Sequence, residues 1–161
     1  MIEIGQTVPS ATLMEMTGDG PQTVTTDDLF SGKKVVLFGV PGAFTPTCNN
    51  KHLPSFVKGM DALKAKGVDT VACLAVNDPF VTGAWGESTG AGAAGIRMLA
   101  DPSGDFVKAL GLDFTADVVG LIGRSKRFAA VVEDGSVKAI AVEDNPGEAG
   151  VTTAEAMLAH L

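Results

Sequence analysis

The stretch Val35-Val36-Leu37-Phe38-Gly39-Val40-Pro41-Gly42-Ala43-Phe44-Thr45-Pro46-Thr47-Cys48 decides how this chain folds. Its first part is a β-branched and aromatic run that reads as a buried strand, bounded by the turn residues Pro41 and Gly42. Beyond Cys48, the apolar residues Leu53, Phe56, Val57, Met60 and Leu63 recur at helical spacing and predict a helix over 46–65 with one stripe toward the core. A strand that turns directly into a helix places Cys48 in the first helical turn. The amides there point at the sulfur and the macrodipole favours negative charge, so the thiolate is favoured and Cys48 reads as a nucleophile. Pro46 suits that first turn. Pro54 lies inside the helix, cannot donate to the carbonyl of Asn50 and crowds it, which predicts a kink that leaves the Cys48 turn loosely tied to the rest.

Strand and helix patterns alternate along the chain. Apolar runs rich in β-branched residues recur at 34–40, 68–76, 128–133 and 137–142, and helical patterns follow the first two, which predicts an α/β domain. Asp78-Pro79-Phe80 opens a helix with an aspartate cap and a first-turn proline, reaching to about Glu87. The Gly90–Gly95 stretch is a loop or a frayed helix end; no strand precedes it, so it does not fit a dinucleotide-binding fingerprint. Residues 97–101 read as a short strand and 103–110 as a short helix. Asp134-Gly135 is a hairpin turn, and 152–160 form a last amphipathic helix capped by threonine. No repeat or linker interrupts residues 1–161, which read as a single domain.

The composition narrows the function. With 161 residues, 45% of them hydrophobic, the chain can bury a sizeable core. A net charge of -7 argues against nucleic acid and anionic membranes as partners, since the basic cluster Arg124-Ser125-Lys126-Arg127 has the size of a site rather than a surface. The amino end lacks the basic-then-apolar pattern of a secretory signal, and no apolar run reaches the roughly 18 residues that span a bilayer. Two cysteines make no disulfide framework and no Cys/His set is spaced for zinc, so reduced thiols in the cytoplasm are expected.

Thr45-Pro46-Thr47-Cys48 puts a hydroxyl where a Cys-x-x-Cys dithiol carries its first sulfur. What remains is one activated sulfur with a hydroxyl about one helical turn away, able to hold a small polar substrate while the sulfur attacks. The Pro-x-x-x-Thr-x-x-Cys pattern of Pro41, Thr45 and Cys48 resembles the peroxiredoxins, and the run from Val40 to Cys48 followed by His52-Leu53-Pro54 is similar to their peroxiredoxin 5 (type II) branch. Leu74 to Trp85 and Ser125 to Gly135 resemble the same branch, so the likeness covers nearly the whole chain. It implies a thioredoxin-like fold, a central mixed β-sheet flanked by helices. It also implies a peroxidase that reduces hydrogen peroxide and organic hydroperoxides, with neither metal nor organic cofactor.

By the same resemblance Cys48 is the peroxidatic cysteine, Thr45 binds and polarises the peroxide, and Arg127, just before the 128–132 strand, stabilises the thiolate and the departing oxygen. Thr45 also reads as the helix N-cap. Pro41 walls the sulfur from solvent, or is simply the rigid end of a strand. Phe44 is expected at the substrate. Arg124 matches the branch's Arg-Ser-x-Arg run, its direct participation left open. His52, four residues after Cys48, either interacts with the sulfur or packs over the pocket. Phe44, Phe80 and Trp85 form either a homodimer interface or part of the core. Cys73, within an apolar run, reads as a buried hydrophobe rather than a partner of Cys48. The branch's resolving cysteine, where present, lies in the C-terminal part, and Gly150-Val151-Thr152-Thr153 carries none. An external thiol, from glutathione with glutaredoxin or from thioredoxin, is therefore implied as reductant. Two rivals share the reactive cysteine: a redox sensor or holdase, and a thiol-disulfide oxidoreductase, against which the missing Cys-x-x-Cys weighs.

Overall fold

The computed structural model describes residues 1–161. Strands β1 (Thr12–Thr17) and β2 (Gly20–Thr25) form an antiparallel hairpin, followed by helix α1 (Thr26–Phe30) and strand β3 (Lys34–Val40). A π-helical turn, Cys48–His52, leads into helix α2 (Leu53–Ala65). Then come β4 (Thr70–Ala75), α3 (Pro79–Thr89), β5 (Arg97–Ala100) and α4 (Asp105–Leu110). A small hairpin of β6 (Asp113–Ala116) and β7 (Leu121–Ser125) precedes the long hairpin of β8 (Phe128–Glu133) and β9 (Ser136–Val142), and α5 (Ala154–Leu158) closes the chain.

Seven strands make one mixed sheet in the order β2-β1-β5-β4-β3-β8-β9. The β3, β4 and β5 strands run parallel, joined by helical crossovers, and the outer pairs are antiparallel. The apolar run 34–40 is the centre of this sheet because both its faces can be buried. Val36, Phe38 and Val40 point into the layer beneath α2, α3 and α5, while Val35 and Leu37 point into the layer containing Leu29, Phe30, Phe106 and Leu110. Strand periodicity explains the division: alternate side chains face opposite sides of the sheet.

Local signals account for the ends of these elements. The Asp78 carboxylate accepts from the Val81 amide at 2.9 Å and caps α3, which stops at left-handed Gly90. Thr153 caps α5 in the same way, accepting from Ala156 N, and the helix is shorter than the expected 152–160 span. Asp134 and Gly135 both have positive φ, 47° and 78°, in the turn between β8 and β9. Gly39 is required by packing, since a Cβ there would lie 2.1 Å from the Phe128 ring. The ring thus lies against the β3 backbone, which brings the start of β8 to the end of β3. The periodic reading does not contain the edge hairpin β1–β2 or the separate two-stranded hairpin β6–β7. Their threonine-rich and glycine-interrupted strands are largely solvent-facing, so no continuous apolar run marks them.

Candidate active site

The 41–45 loop carries the chain from β3 to a helix that starts at Pro46, so the amides of Thr47 and Cys48 belong to a first turn whose N–H groups lack intrahelical acceptors. Instead of the simple kink expected at Pro54, the helix widens immediately before it. Leu53 donates its amide to the Cys48 carbonyl five residues back, across the π-helical turn Cys48–His52. The wide turn answers the missing N–H and bulky ring of Pro54. Nor is the turn loosely tied. Trp85 Nε1 donates to Asn49 Oδ1 at 2.9 Å, and Thr47 Oγ1 donates to the Gly147 carbonyl at 2.7 Å.

Arg127 immediately precedes β8, and the pairing of Phe128 with Gly39 sets it beside the end of β3. Its side chain is buried and all its contacts converge on the site. Nη2 donates to Cys48 Sγ at 3.2 Å. Nε and Nη2 donate to the Pro146 carbonyl at 3.1 and 3.0 Å, and Nη1 donates to His52 Nδ1 at 3.0 Å. A guanidinium's rigid fork, anchored this way, keeps its charge on the sulfur.

His52 is buried, and both its ring nitrogens have partners other than the sulfur. Its Nε2 lies 2.9 Å from the Thr152 carbonyl, which can only accept, so Nε2 carries the proton and Nδ1 is left to accept from Arg127. The ring packs edge-on to Phe38 and Phe56, with centroids at 5.1 and 5.7 Å. Burial and then the Arg127 charge lower its pKa from 6.5 to about 3, so the imidazole is neutral at physiological pH. Across the π-helical turn that separates the two residues, Arg127 links them by donating to both His52 Nδ1 and Cys48 Sγ.

Thr45 does not cap the helix with its side chain: Oγ1 donates back to the Gly42 carbonyl at 2.7 Å. With its proton committed, the hydroxyl keeps lone pairs for an incoming O–H. Pro41 is buried, and its carbonyl accepts from Arg124 Nη1 at 3.2 Å. Arg124 packs over Gly42, where a Cβ would come within 2.6 Å of Nη1, and so braces the loop rather than the sulfur. Phe44 departs from its expected place at the substrate. A left-handed backbone, φ 64°, turns it outward, 52% exposed, with its ring tilted against Trp85 at 6.4 Å. Trp85 itself is core, wholly buried, whereas Phe80 stands exposed at the start of α3.

A cavity of about 260 Å³ opens over these groups. Pro41, Thr45 and Arg127 line its polar end, and Phe114, Val119 and Leu121 from the 113–125 segment form an apolar wall. Cys48, fully enclosed, lies behind Arg127. The sequence reading missed this wall, together with the Pro146 and Thr152 carbonyls that hold Arg127 and His52. Backbone carbonyls carry no residue-type signal. Cys73 lies in β4 opposite Phe38, enclosed and unpaired with Cys48. Burial, with the Cys48 charge added, pushes its thiol well above the usual range and leaves it protonated.

Residues 3–158 match the Redoxin family model. The chain is 45% identical to the protein named peroxiredoxin-2E-2, chloroplastic, of Oryza sativa subsp. japonica, over 99% of this chain and 72% of that protein. Among solved structures it is similar to reduced Prx3 of Vibrio vulnificus in complex with hydrogen peroxide, with 49% identity, a TM-score of 0.90, and 99% and 98% of the two chains covered. It is also similar to peroxiredoxin 5 of Alvinella pompejana, with 34% identity, a TM-score of 0.86, and 99% and 97% covered.

Proposed function

The chain belongs to the peroxiredoxin family, with a thioredoxin-like fold and thiol-dependent peroxidase activity, and we propose that Cys48 is its reacting sulfur, assisted by Arg127 and Thr45. The observation that carries this reading is the 3.2 Å contact of Arg127 Nη2 with Cys48 Sγ, made by an arginine that the Pro146 carbonyl and His52 Nδ1 hold in place. The thiolate attacks the distal peroxide oxygen. An S–O bond forms as the O–O bond breaks; sulfur loses two electrons and becomes a sulfenic acid, while the departing oxygen takes a proton and leaves as water or an alcohol. Thr45 accepts the peroxide O–H through its free lone pairs, and Pro41 closes the loop side of the cavity. The first-turn amide of Cys48 and the guanidinium of Arg127 stabilise the charge that builds on the leaving oxygen. The apolar wall suits alkyl hydroperoxides as well as hydrogen peroxide.

Recycling falls to an external thiol, glutathione with glutaredoxin or thioredoxin, which attacks the sulfenic sulfur and expels water to give a mixed disulfide. The protonated state of Cys73, which is not paired with Cys48, and the absence of cysteine from residues 145–152 support this assignment. Both thiols are free, which suits a reducing compartment such as the cytoplasm. The exposed rings of Phe44 and Phe80 support a homodimer, which sedimentation velocity tests. Peroxide consumption with each reductant, measured on the wild type and on Cys48→Ser, tests the reading as a whole. Activity that survives in Cys48→Ser would overturn it.

A further inference from the structure

The geometry points to Glu143 as a positioning residue for the reaction: it pins the 143–152 loop at both ends and so sets the Arg127–His52 pair against Cys48. Three carbonyls of this loop face the site. Pro146 accepts from Arg127, Gly147 from Thr47, and Thr152 from His52. The loop has no strand ladder to hold it in place, and its own hydrogen bonds are short-range, such as Glu148 N to Asn145 O at 3.0 Å. Glu143 supplies the missing restraint. At the near end its amide donates to the Arg127 carbonyl at 3.0 Å. At the far end its Oε1 accepts from the amides of Gly150 at 2.5 Å, Val151 at 2.8 Å and Thr152 at 3.1 Å, and from Thr152 Oγ1 at 3.0 Å.

These contacts form one continuous chain. The carboxylate holds the 150–152 turn; the turn aims the Thr152 carbonyl at His52 Nε2; that bond fixes the tautomer that leaves Nδ1 to accept from Arg127; and Arg127 is thereby aimed at the sulfur. Partial burial raises the Glu143 carboxyl, but the hydrogen bonds from Gly150, Thr152 and Val151 more than offset this, so it is ionised at neutral pH and its bonds are charge-assisted. Glu143 touches no reacting atom and acts only through other groups.

This inference rests on Cys48 being the reacting sulfur, so the experiment separates the two. Cys48→Ser against wild type tests that reading, and Glu143 variants are then compared with an active wild type. Glu143→Ala should lower the second-order rate constant with hydrogen peroxide about tenfold. It should also slow the alkylation of Cys48 by iodoacetamide at pH 7, both measured well below the melting temperature. Glu143→Gln keeps the accepting oxygen without the charge and should recover part of each loss. In a His52→Ala background, Glu143→Ala should have a smaller further effect, because the path through Thr152 and His52 is cut and only that through the Pro146 carbonyl remains. If Glu143→Ala does not fold, Glu143→Gln and Thr152→Val carry the same test, each giving a smaller shift in the same direction. A Glu143 variant with a lower melting temperature but unchanged rate constants for alkylation and for reaction with peroxide would overturn the proposal, as would equal losses with and without His52.

Discussion

Replacing Arg127 with glutamine removes the guanidinium in contact with Cys48 while leaving an amide that can still donate to the Pro146 carbonyl or His52. At the observed 3.2 Å, two unit charges interact by about 5 kcal/mol at an effective dielectric of about 20. That figure is a ceiling, because Arg127 is itself desolvated and shares its donors with Pro146 and His52. The net value of a hydrogen bond to a charged group, about 1.5–3 kcal/mol, is the better guide and corresponds to a loss of roughly 10- to 150-fold in rate. Stopped-flow mixing with hydrogen peroxide measures it directly, followed through the fluorescence of the single tryptophan, Trp85, which bonds Asn49 in the turn that begins at Cys48. A folded Arg127→Gln variant whose rate constant with hydrogen peroxide stays within about twofold of wild type at neutral pH would refute the reasoning.

Cys73→Ala should leave turnover with an external thiol within about twofold of wild type, since a protonated, enclosed thiol takes no part in a one-cysteine cycle; a collapse of steady-state turnover in a folded variant would show that it does. The burial of neutral His52 predicts a pH-dependent stability. Its folded pKa of about 3 lies below the unfolded 6.5, so the unfolded chain binds the extra proton between those values. The stability is therefore fully present above the unfolded value and is lost as pH falls toward the folded one. Urea unfolding should give a protein about 2 kcal/mol less stable at pH 5 than at pH 7. Ordinary carboxylates titrate mainly below this window, and Asp101, raised by burial, acts in the opposite sense, so a flat profile in an Asp101→Asn background would contradict a neutral, buried imidazole.

The Val35–Cys48 stretch determined much on its own. A short, β-branched apolar run ended by Pro41-Gly42 reads as a strand covered on both faces, and a helix that starts at Pro46 places Cys48 among unpaired amides whatever the rest of the chain does. The Asp78 cap, the Asp134-Gly135 turn and the spacing of Thr45 from Cys48 are likewise local, and the resemblance assigned Arg127 before any distance was measured. The tertiary structure decided what depends on residues far apart in the chain. Only the pairing of β8 with β3 carries Arg127 to the sulfur across 79 positions. The π-helical turn between Cys48 and His52 results from Pro54 competing with the surrounding packing, so no periodicity announces it. The groups that hold the arginine and histidine are carbonyls of Pro146 and Thr152, clamped by Glu143. Every residue has a carbonyl, so its role is set by where the folded backbone aims it, and residue identity alone does not encode that direction.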